Sequence, residues 1–307
     1  MGLGTELMRY FAWDNLEIDP DGKTSGRTFR EFHTLHAEFP YPAVNHAAAQ
    51  RLCDSGQLHD LGVQFGLTPL YGSRYASLET TAQLVARLEY GTFDFIVDGL
   101  SAVVTHFERS VVQLVGENTH GDPVSGSAFV MIDPHVLVTA AHCVHSISRL
   151  RVVAPPSGEI EVTRTDVQNS GDTAVIEIAR PIDAKPMMPV DVIQPLCSVV
   201  TMGYPDLAGH HPALICSSGE IAGQATNYLE GGEYLVTTCA MTGGSSGGPV
   251  VNSEGRVVGV VSKFSQRDDH LDPGRFGLVS PIEPALHPLL TAASKYEHGR
   301  QLIDSLL

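Results

Sequence analysis

Gly243-Gly244-Ser245-Ser246-Gly247-Gly248-Pro249 runs directly into PVVNSEGRVVGVVSKF (residues 249–264), a β-branched stretch folded around an Asn-Ser-Glu-Gly turn. Glycines on both sides of Ser246 let the backbone turn sharply and be approached closely, since no Cβ stands in the way. Alone, such a run reads equally well as a flexible linker. Two other motifs change its meaning: Val138-Thr139-Ala140-Ala141-His142-Cys143 and Gly171-Asp172-Thr173-Ala174-Val175, each abutting a strand-like run. Singly, a histidine at the end of an Ala-rich strand is usually structural, and an aspartate after glycine usually belongs to a turn. Together they supply what a hydroxyl nucleophile requires. An imidazole must accept its proton, and a carboxylate must fix the imidazole tautomer and stabilise the imidazolium. His142, Asp172 and Ser246 are therefore the expected catalytic residues. The N–H groups of Gly244 and Ser246 are the expected oxyanion donors.

From Ser110 onward the chain consists of short β-branched runs divided by Gly, Pro, Asn and Asp, among them SVVQLVG, SGSAFVMI, HVLVTAAH, RLRVVAP, AVIEIA, SVVTMGYP, EYLVTTC and RFGLVSPI. That spacing predicts an all-β sandwich or barrel. Residues 43–105 instead have helical periodicity. AVNHAAAQRLCDSGQLHDLG and SLETTAQLVARLEYGTFDFIVDGL read as helices, the second capped by Ser77, with the turn-rich FGLTPLYGSRYAS between them. Residues 14–42 carry no assignable pattern, and the final segment from Pro284 returns to a helical period. The expected organisation is a helical, regulatory or adaptor domain over residues 1–108, a β domain over 109–290 and a helical tail over 291–307.

Acidic residues outnumber basic ones 35 to 19, giving a net charge of −16. Such a surface repels phosphate backbones and anionic membranes, so no nucleic-acid or membrane partner is expected. The opening residues show no basic segment leading into an apolar run, and no stretch approaches the roughly 18 apolar residues of a membrane span. The five cysteines, Cys53, Cys143, Cys197, Cys216 and Cys239, are odd in number and irregularly spaced, unlike a disulfide framework. A cytoplasmic protein is expected. His33-x-x-His36, His142-x-x-His145 and His210-His211 lack the companions of a zinc site, so no metal or other cofactor is expected. Cys143 is discounted as a nucleophile because neighbours on an extended segment face opposite ways.

TAAHC, GDTAV and GGSSGGP resemble the three signature segments of the chymotrypsin-like (trypsin-fold) serine proteases. Their short spacing is closest to the bacterial HtrA and glutamyl-endopeptidase branches. Gly126-Ser127-Ala128-Phe129, Gly203-Tyr204-Pro205, Val258-Gly259-Val260-Val261-Ser262 and Pro273-Gly274-Arg275-Phe276 resemble further family segments. The resemblance spans about residues 109–290 and implies two six-stranded antiparallel barrels with the catalytic residues between them. It places Ser262 beside Asp172, and Ala240, Met241, Val261, Ser262, Lys263, Phe264 and Gly274 around the substrate. Ser245 stands where secreted zymogens carry Asp, which puts activation by N-terminal trimming in doubt. The usual disulfide partner of Cys143 is missing near Val124. No Asp lies at the base of the implied primary pocket, which points to a small or medium apolar residue at the cleaved bond.

Residues 51–100 resemble the small helical adaptor domains of the death-fold type, which bacteria join to proteases in immune-type systems. That resemblance implies a recruiting protein bound through the N-terminal region, while the β domain implies a protein substrate. The leading expectation is an endopeptidase gated by its helical domain. A catalytically silent protease-fold scaffold is the alternative. An HtrA-like quality-control protease would want a peptide-binding domain after the barrels, and too few residues follow them here.

Overall fold

The computed structural model describes residues 2–18, 24–168, 171–190, 192–207, 209–226, 232–264 and 276–306. The chain divides into two compact units, Met1–Ala102 and Val103–Leu307. Among the described residues, no helix is long and apolar enough to cross a membrane.

The first unit is mainly helical. Its helices are α1 (Leu3–Tyr10), α2 (Phe29–Leu35), α3 (Pro42–Asp54), α4 (Pro69–Gly72), α5 (Thr81–Tyr90) and α6 (Thr92–Asp98); α7 (Leu100–Phe107) leads into the second unit. A short ribbon pairs β1 (Glu17–Ile18) with β2 (Thr24–Ser25), and β3 (Arg27–Thr28), β4 (His59–Val63) and β5 (Ser73–Ala76) form a sheet in the order β3-β5-β4. Leu7, Phe11, Phe29, Phe32, Leu52, Leu84 and Phe93 are fully buried in one core. Gly4 lets α1 meet α6 directly: a Cβ there would lie 2.2 Å from the Phe93 carbonyl oxygen.

Three expectations are corrected here. The helix expected through residue 62 stops at Asp54. A turn with Gly56 at positive φ ends it, and His59–Val63 is a strand. Ser77 is not the cap of α5. Thr80 is, through a reciprocal box with Gln83 (its hydroxyl accepts from the Gln83 N–H), whereas Ser77 Oγ accepts from Glu79 N–H. The long helix expected beyond it is broken at Gly91 and Gly99, both at positive φ. The turn-rich linker holds α4 and β5.

The second unit contains two closed antiparallel barrels. Six strands form the first: β6 (Val111–Glu117), β7 (Pro123–Met131), β8 (Asp133–Thr139), β9 (Ser148–Ala154), β10 (Gly158–Val167) and β11 (Ala174–Ile178), in the order β10-β11-β8-β7-β6-β9. A short helix, α8 (Ala141–Ser146), follows β8. The second barrel is built from β13 (Ser198–Gly203), β14 (Ile215–Thr226), β15 (Glu233–Thr237), β16 (Pro249–Asn252), β17 (Arg256–Phe264) and β18 (Gly277–Pro281), closed by β17–β18 pairing. β12 (Met188–Pro189) adds in parallel to β17. Valines and leucines that alternate inward fill this barrel: Val199, Leu235, Val250, Val258 and Val279. Asn252 shapes the β16–β17 hairpin by accepting from Glu254 and Arg256 N–H groups, with Gly255 at φ +76.

The residues expected to form a helical tail are part of the second unit. Helices α9 (Leu286–Ala293) and α10 (Glu297–Leu306) pack on β8 and β11. Asp133, fully buried at the start of β8, accepts from Gly299 N–H (2.9 Å) and from His135 N–H. Glu177 of β11 accepts from Lys295 Nζ (2.6 Å), and the Tyr296 ring stacks on His135 at 4.2 Å. Asp133→Ala leaves the Gly299 N–H buried without a partner. It is expected to lower the unfolding free energy by about 3 kcal/mol in a urea titration. A loss below about 0.5 kcal/mol would mean that α10 does not depend on this carboxylate.

Candidate active site

β8 and β11 are antiparallel neighbours, with Thr139 opposite Ala174. The end of one strand is therefore the start of the other, and residues just beyond Thr139 emerge beside residues just before Ala174. His142 and Asp172 occupy those two positions. Gly171 makes the approach feasible: it has φ +77, and a Cβ on it would lie 2.9 Å from Ser280 Oγ. That hydroxyl accepts from the Asp172 N–H at 3.0 Å.

Asp172 is buried and its carboxylate is saturated with donors. Oδ2 accepts from His142 Nδ1 at 2.7 Å and from the Ser262 hydroxyl, while Oδ1 accepts from the His142 N–H at 3.0 Å. Burial alone would raise its pKa. The His142 and Ser262 hydrogen bonds outweigh that effect and hold it well below the usual carboxylate range. For His142, burial alone would lower the pKa, but the bond to Asp172 wins and the imidazole is held above its ordinary value of 6.5. With Nδ1 donating to Asp172, the lone pair of a neutral His142 lies on Nε2.

Ser246 joins the same set from the second barrel. Its hydroxyl donates to the Ser262 carbonyl at 3.1 Å, and the Ser262 side chain reaches Asp172. His142, Asp172, Ser262 and Ser246 are thus one connected hydrogen-bonded group. Cys143 lies on a helical turn, not on the extended segment expected from the sequence. It is buried, and its thiol donates weakly to the Ser246 carbonyl at 3.6 Å.

The loop around Ser246 is anchored through its carbonyls. Gly243 C=O accepts from Asp206 N–H (2.9 Å) and Ser245 C=O from Gly248 N–H (3.0 Å). A planar trans peptide points its N–H opposite its C=O, so these anchors direct the N–H groups of Gly244 and Ser246 to the other side of the loop. Neither N–H donates to any described residue. Gly247 is at φ +85, and a Cβ there would lie 2.1 Å from the Ser127 carbonyl oxygen, so no other residue fits. Ser245 closes its own turn, its hydroxyl donating to Thr242 C=O at 2.6 Å. No carboxylate is needed there.

Of the remaining expected positions, Ala240 is exposed and its N–H donates to Ser217 Oγ. Met241 packs against the second core with its sulfur over Gly277, where a Cβ would lie 2.3 Å away. Val261 is buried, and its backbone is committed to the Ser246 loop: its C=O accepts from Gly247 N–H and its N–H donates to Gly248 C=O. Lys263 and Phe264 pair through their backbones with Leu278 and Gly277. Their side chains, together with Gly274 and Asp268–Asp272, lie outside the described residues. Ser127 and Ser280 also touch this site through their hydroxyls. Ser127 falls in one of the segments that carry the family resemblance, but nothing in the sequence assigns its hydroxyl a role, and Ser280 carries no signal beyond lying in a strand. Among the described residues, no group of three or more His, Cys, Asp or Glu is arranged to hold a metal ion.

Residues 126–260 match the family model of the trypsin-like peptidase domain. The human serine protease HTRA4 (Homo sapiens) is 29% identical over 245 residues, covering 77% of this chain and 47% of the relative. Serine protease HTRA1A of Danio rerio is 28% identical over 182 residues, covering 57% of this chain and 37% of the relative. The chain spans about half the length, or less, of the curated relatives it matches. Among solved structures, the active form of Rv3671c protease from M. tuberculosis superposes with a TM-score of 0.52 at 22% identity, covering 62% of this chain and 83% of that one. An HtrA-type protease, AlgW with tripeptide, gives 0.51 at 20%, covering 65% and 64%. Residues 126–260 thus match a trypsin-like peptidase domain, and the chain is similar in sequence to HtrA-type serine proteases.

Proposed function

We propose that the protein is a serine endopeptidase in which Ser246 is the nucleophile, His142 the general base and acid, and Asp172 the group that orients His142. The observation that carries this reading is the continuous hydrogen-bonded set from His142 to Ser246, beside two loop N–H groups with no other described acceptor. Attack of Ser246 Oγ on a peptide carbonyl transfers its proton to His142 Nε2. The carbonyl oxygen becomes an anion between the Gly244 and Ser246 N–H groups. His142 then delivers that proton to the leaving amine as the C–N bond breaks, leaving an acyl-enzyme. Water, deprotonated by His142, hydrolyses the ester and restores Ser246. In the resting site the Ser246 proton is directed at the Ser262 carbonyl, so the hydroxyl must reorient as attack begins.

A small or medium apolar residue is proposed at the cleaved bond, supported by Met241 lying over Gly277 beneath the implied pocket. Gating by residues 1–108, through a recruiting protein in a cytoplasmic, bacterial immune-type system, rests on the helical resemblance of that region.

A fluorophosphonate should add its mass to the native chain and not to Ser246→Ala, whose unfolding free energy should change by less than about 1 kcal/mol. A folded native chain that resists the probe would instead favour the silent scaffold. Gating adds a second expectation: residues 100–307 alone should react faster than the full chain, and equal rates would remove the restraining role.

The pH response has a defined sign. His142 accepts a proton only when neutral, and Asp172 holds its pKa above 6.5. Acylation should therefore rise with pH through a midpoint above 6.5. Asp172→Asn should lower the rate by roughly 10⁴-fold. A midpoint at or below 6.5 would mean that Asp172 does not charge-stabilise the imidazolium. The same pair stabilises the fold in a window. The His142 share is full below 6.5 and fades as pH climbs through its raised folded value; the Asp172 share is present above 3.8 and fades as pH falls through its lowered one.

A further inference from the structure

We propose that Ser127 is a positioning residue for the oxyanion-binding loop, an inference that rests on the reading of Ser246 as nucleophile. Ser127 lies in β7 of the first barrel and is fully buried. Its hydroxyl donates to Gly244 C=O at 2.9 Å and accepts from Tyr204 N–H at 2.8 Å. Its own N–H donates to Ser246 C=O at 2.8 Å. One side chain from the first barrel thereby holds both the nucleophile loop and the turn at Tyr204–Asp206 in the second. That turn supplies the Asp206 N–H that anchors Gly243 C=O.

The anchoring matters because of what Gly243 and Gly244 lack. Two consecutive glycines have almost no steric preference to fix their peptide planes, so hydrogen bonds to the carbonyls decide which way the N–H groups face. Without the Ser127 hydroxyl, Gly244 C=O and the buried Tyr204 N–H each lose their partner. The least costly remedy is for the loop to turn its carbonyls toward water. Release of Tyr204 also loosens the Asp206 N–H that anchors Gly243 C=O, and rotation of the Gly243–Gly244 peptide then carries the Gly244 N–H away from the developing oxyanion. The site is tightly built around the hydroxyl: a Cβ at Gly203 would lie 3.0 Å from Ser127 Oγ and 3.1 Å from Ser245 Cα.

The test is the labelling of Ser246 by a fluorophosphonate in the full chain, its P=O oxygen standing in for the oxyanion. Rates are read against probe concentration below the melting temperature. Ser127→Ala should lower the saturating rate by about 10-fold or more, within the range seen when oxyanion donors are lost, with the half-saturating concentration unchanged. Ser127→Cys, of similar size but a weaker donor, should fall between alanine and serine. Thr201→Val serves as the control for general destabilisation. It removes a buried hydroxyl that donates to Ser217 C=O in the second barrel, and should change the rate less than about 2-fold. A native rate in Ser127→Ala overturns the proposal while leaving Ser246 as nucleophile, and so does an equal loss in Thr201→Val. Absence of labelling in the folded native chain overturns the reading of Ser246 and this proposal together.

Discussion

A carboxylate buried without donors would be too costly to keep ionised, and Asp172 meets that constraint by drawing three donors from two barrels. His142 contributes its backbone and ring N–H groups from α8, and Ser262 contributes its hydroxyl from β17. Satisfying one charge therefore ties a helix of the first barrel to a strand of the second. The Ser262 carbonyl continues the chain of bonds to Ser246. The alignment that chemistry demands and the pairing that burial demands are the same set of contacts. Removing His142 would strand the buried Asp172 charge, and removing either partner would disable the proton path.

The loop bearing Ser246 follows another rule. Positive φ at Gly244 and Gly247 allows backbone to approach backbone where any Cβ would collide with Asp206 or Ser127. Glycine, however, only permits such a shape. Selection comes from the anchors on the carbonyls of residues 243–246, drawn from Asp206, Ser127 and Gly248. Ser245 adds a side-chain closure onto Thr242, so the loop holds its turn by local bonding, without a buried ion pair.

Much of this was legible in the sequence, for physical reasons that also mark its limits. Motifs with steric or chemical necessity, such as the glycines around Ser246 and the sequence order of His142, Asp172 and Ser246, identify the residues that the fold brings together. Strands with a continuous apolar face stood out, whereas β10 and β14 did not. GEIEVTRTDV and ICSSGEIAGQAT are mostly exposed and polar, and their alternation carries little apolar signal. In the first unit, AVNHAAAQRLCDSGQLHDLG looked continuous because leucines recur past Gly56. The short strand after it is exposed along its whole length, so periodicity had nothing to report. Ser127 fell within a recognisable segment, residues 126–129, but its role stayed hidden because it depends on partners from distant loops.

The strand pair β8–β11 explains why the C-terminal helices belong to the same account. β8 delivers His142 at its end, β11 receives Asp172 at its start, and their register sets how far apart those side chains emerge. Both strands carry a buried or nearly buried acid on the side facing α9 and α10: Asp133 on β8 and Glu177 on β11. Gly299 N–H and Lys295 Nζ satisfy them. Docking of the last helices thus follows from the need to partner two carboxylates, and it braces the two strands from which the proposed base and its orienting acid project. The brace grips the end of the strand pair that holds Asp133 and Glu177, opposite the end from which His142 and Asp172 emerge, so it supports the shared register without touching the site.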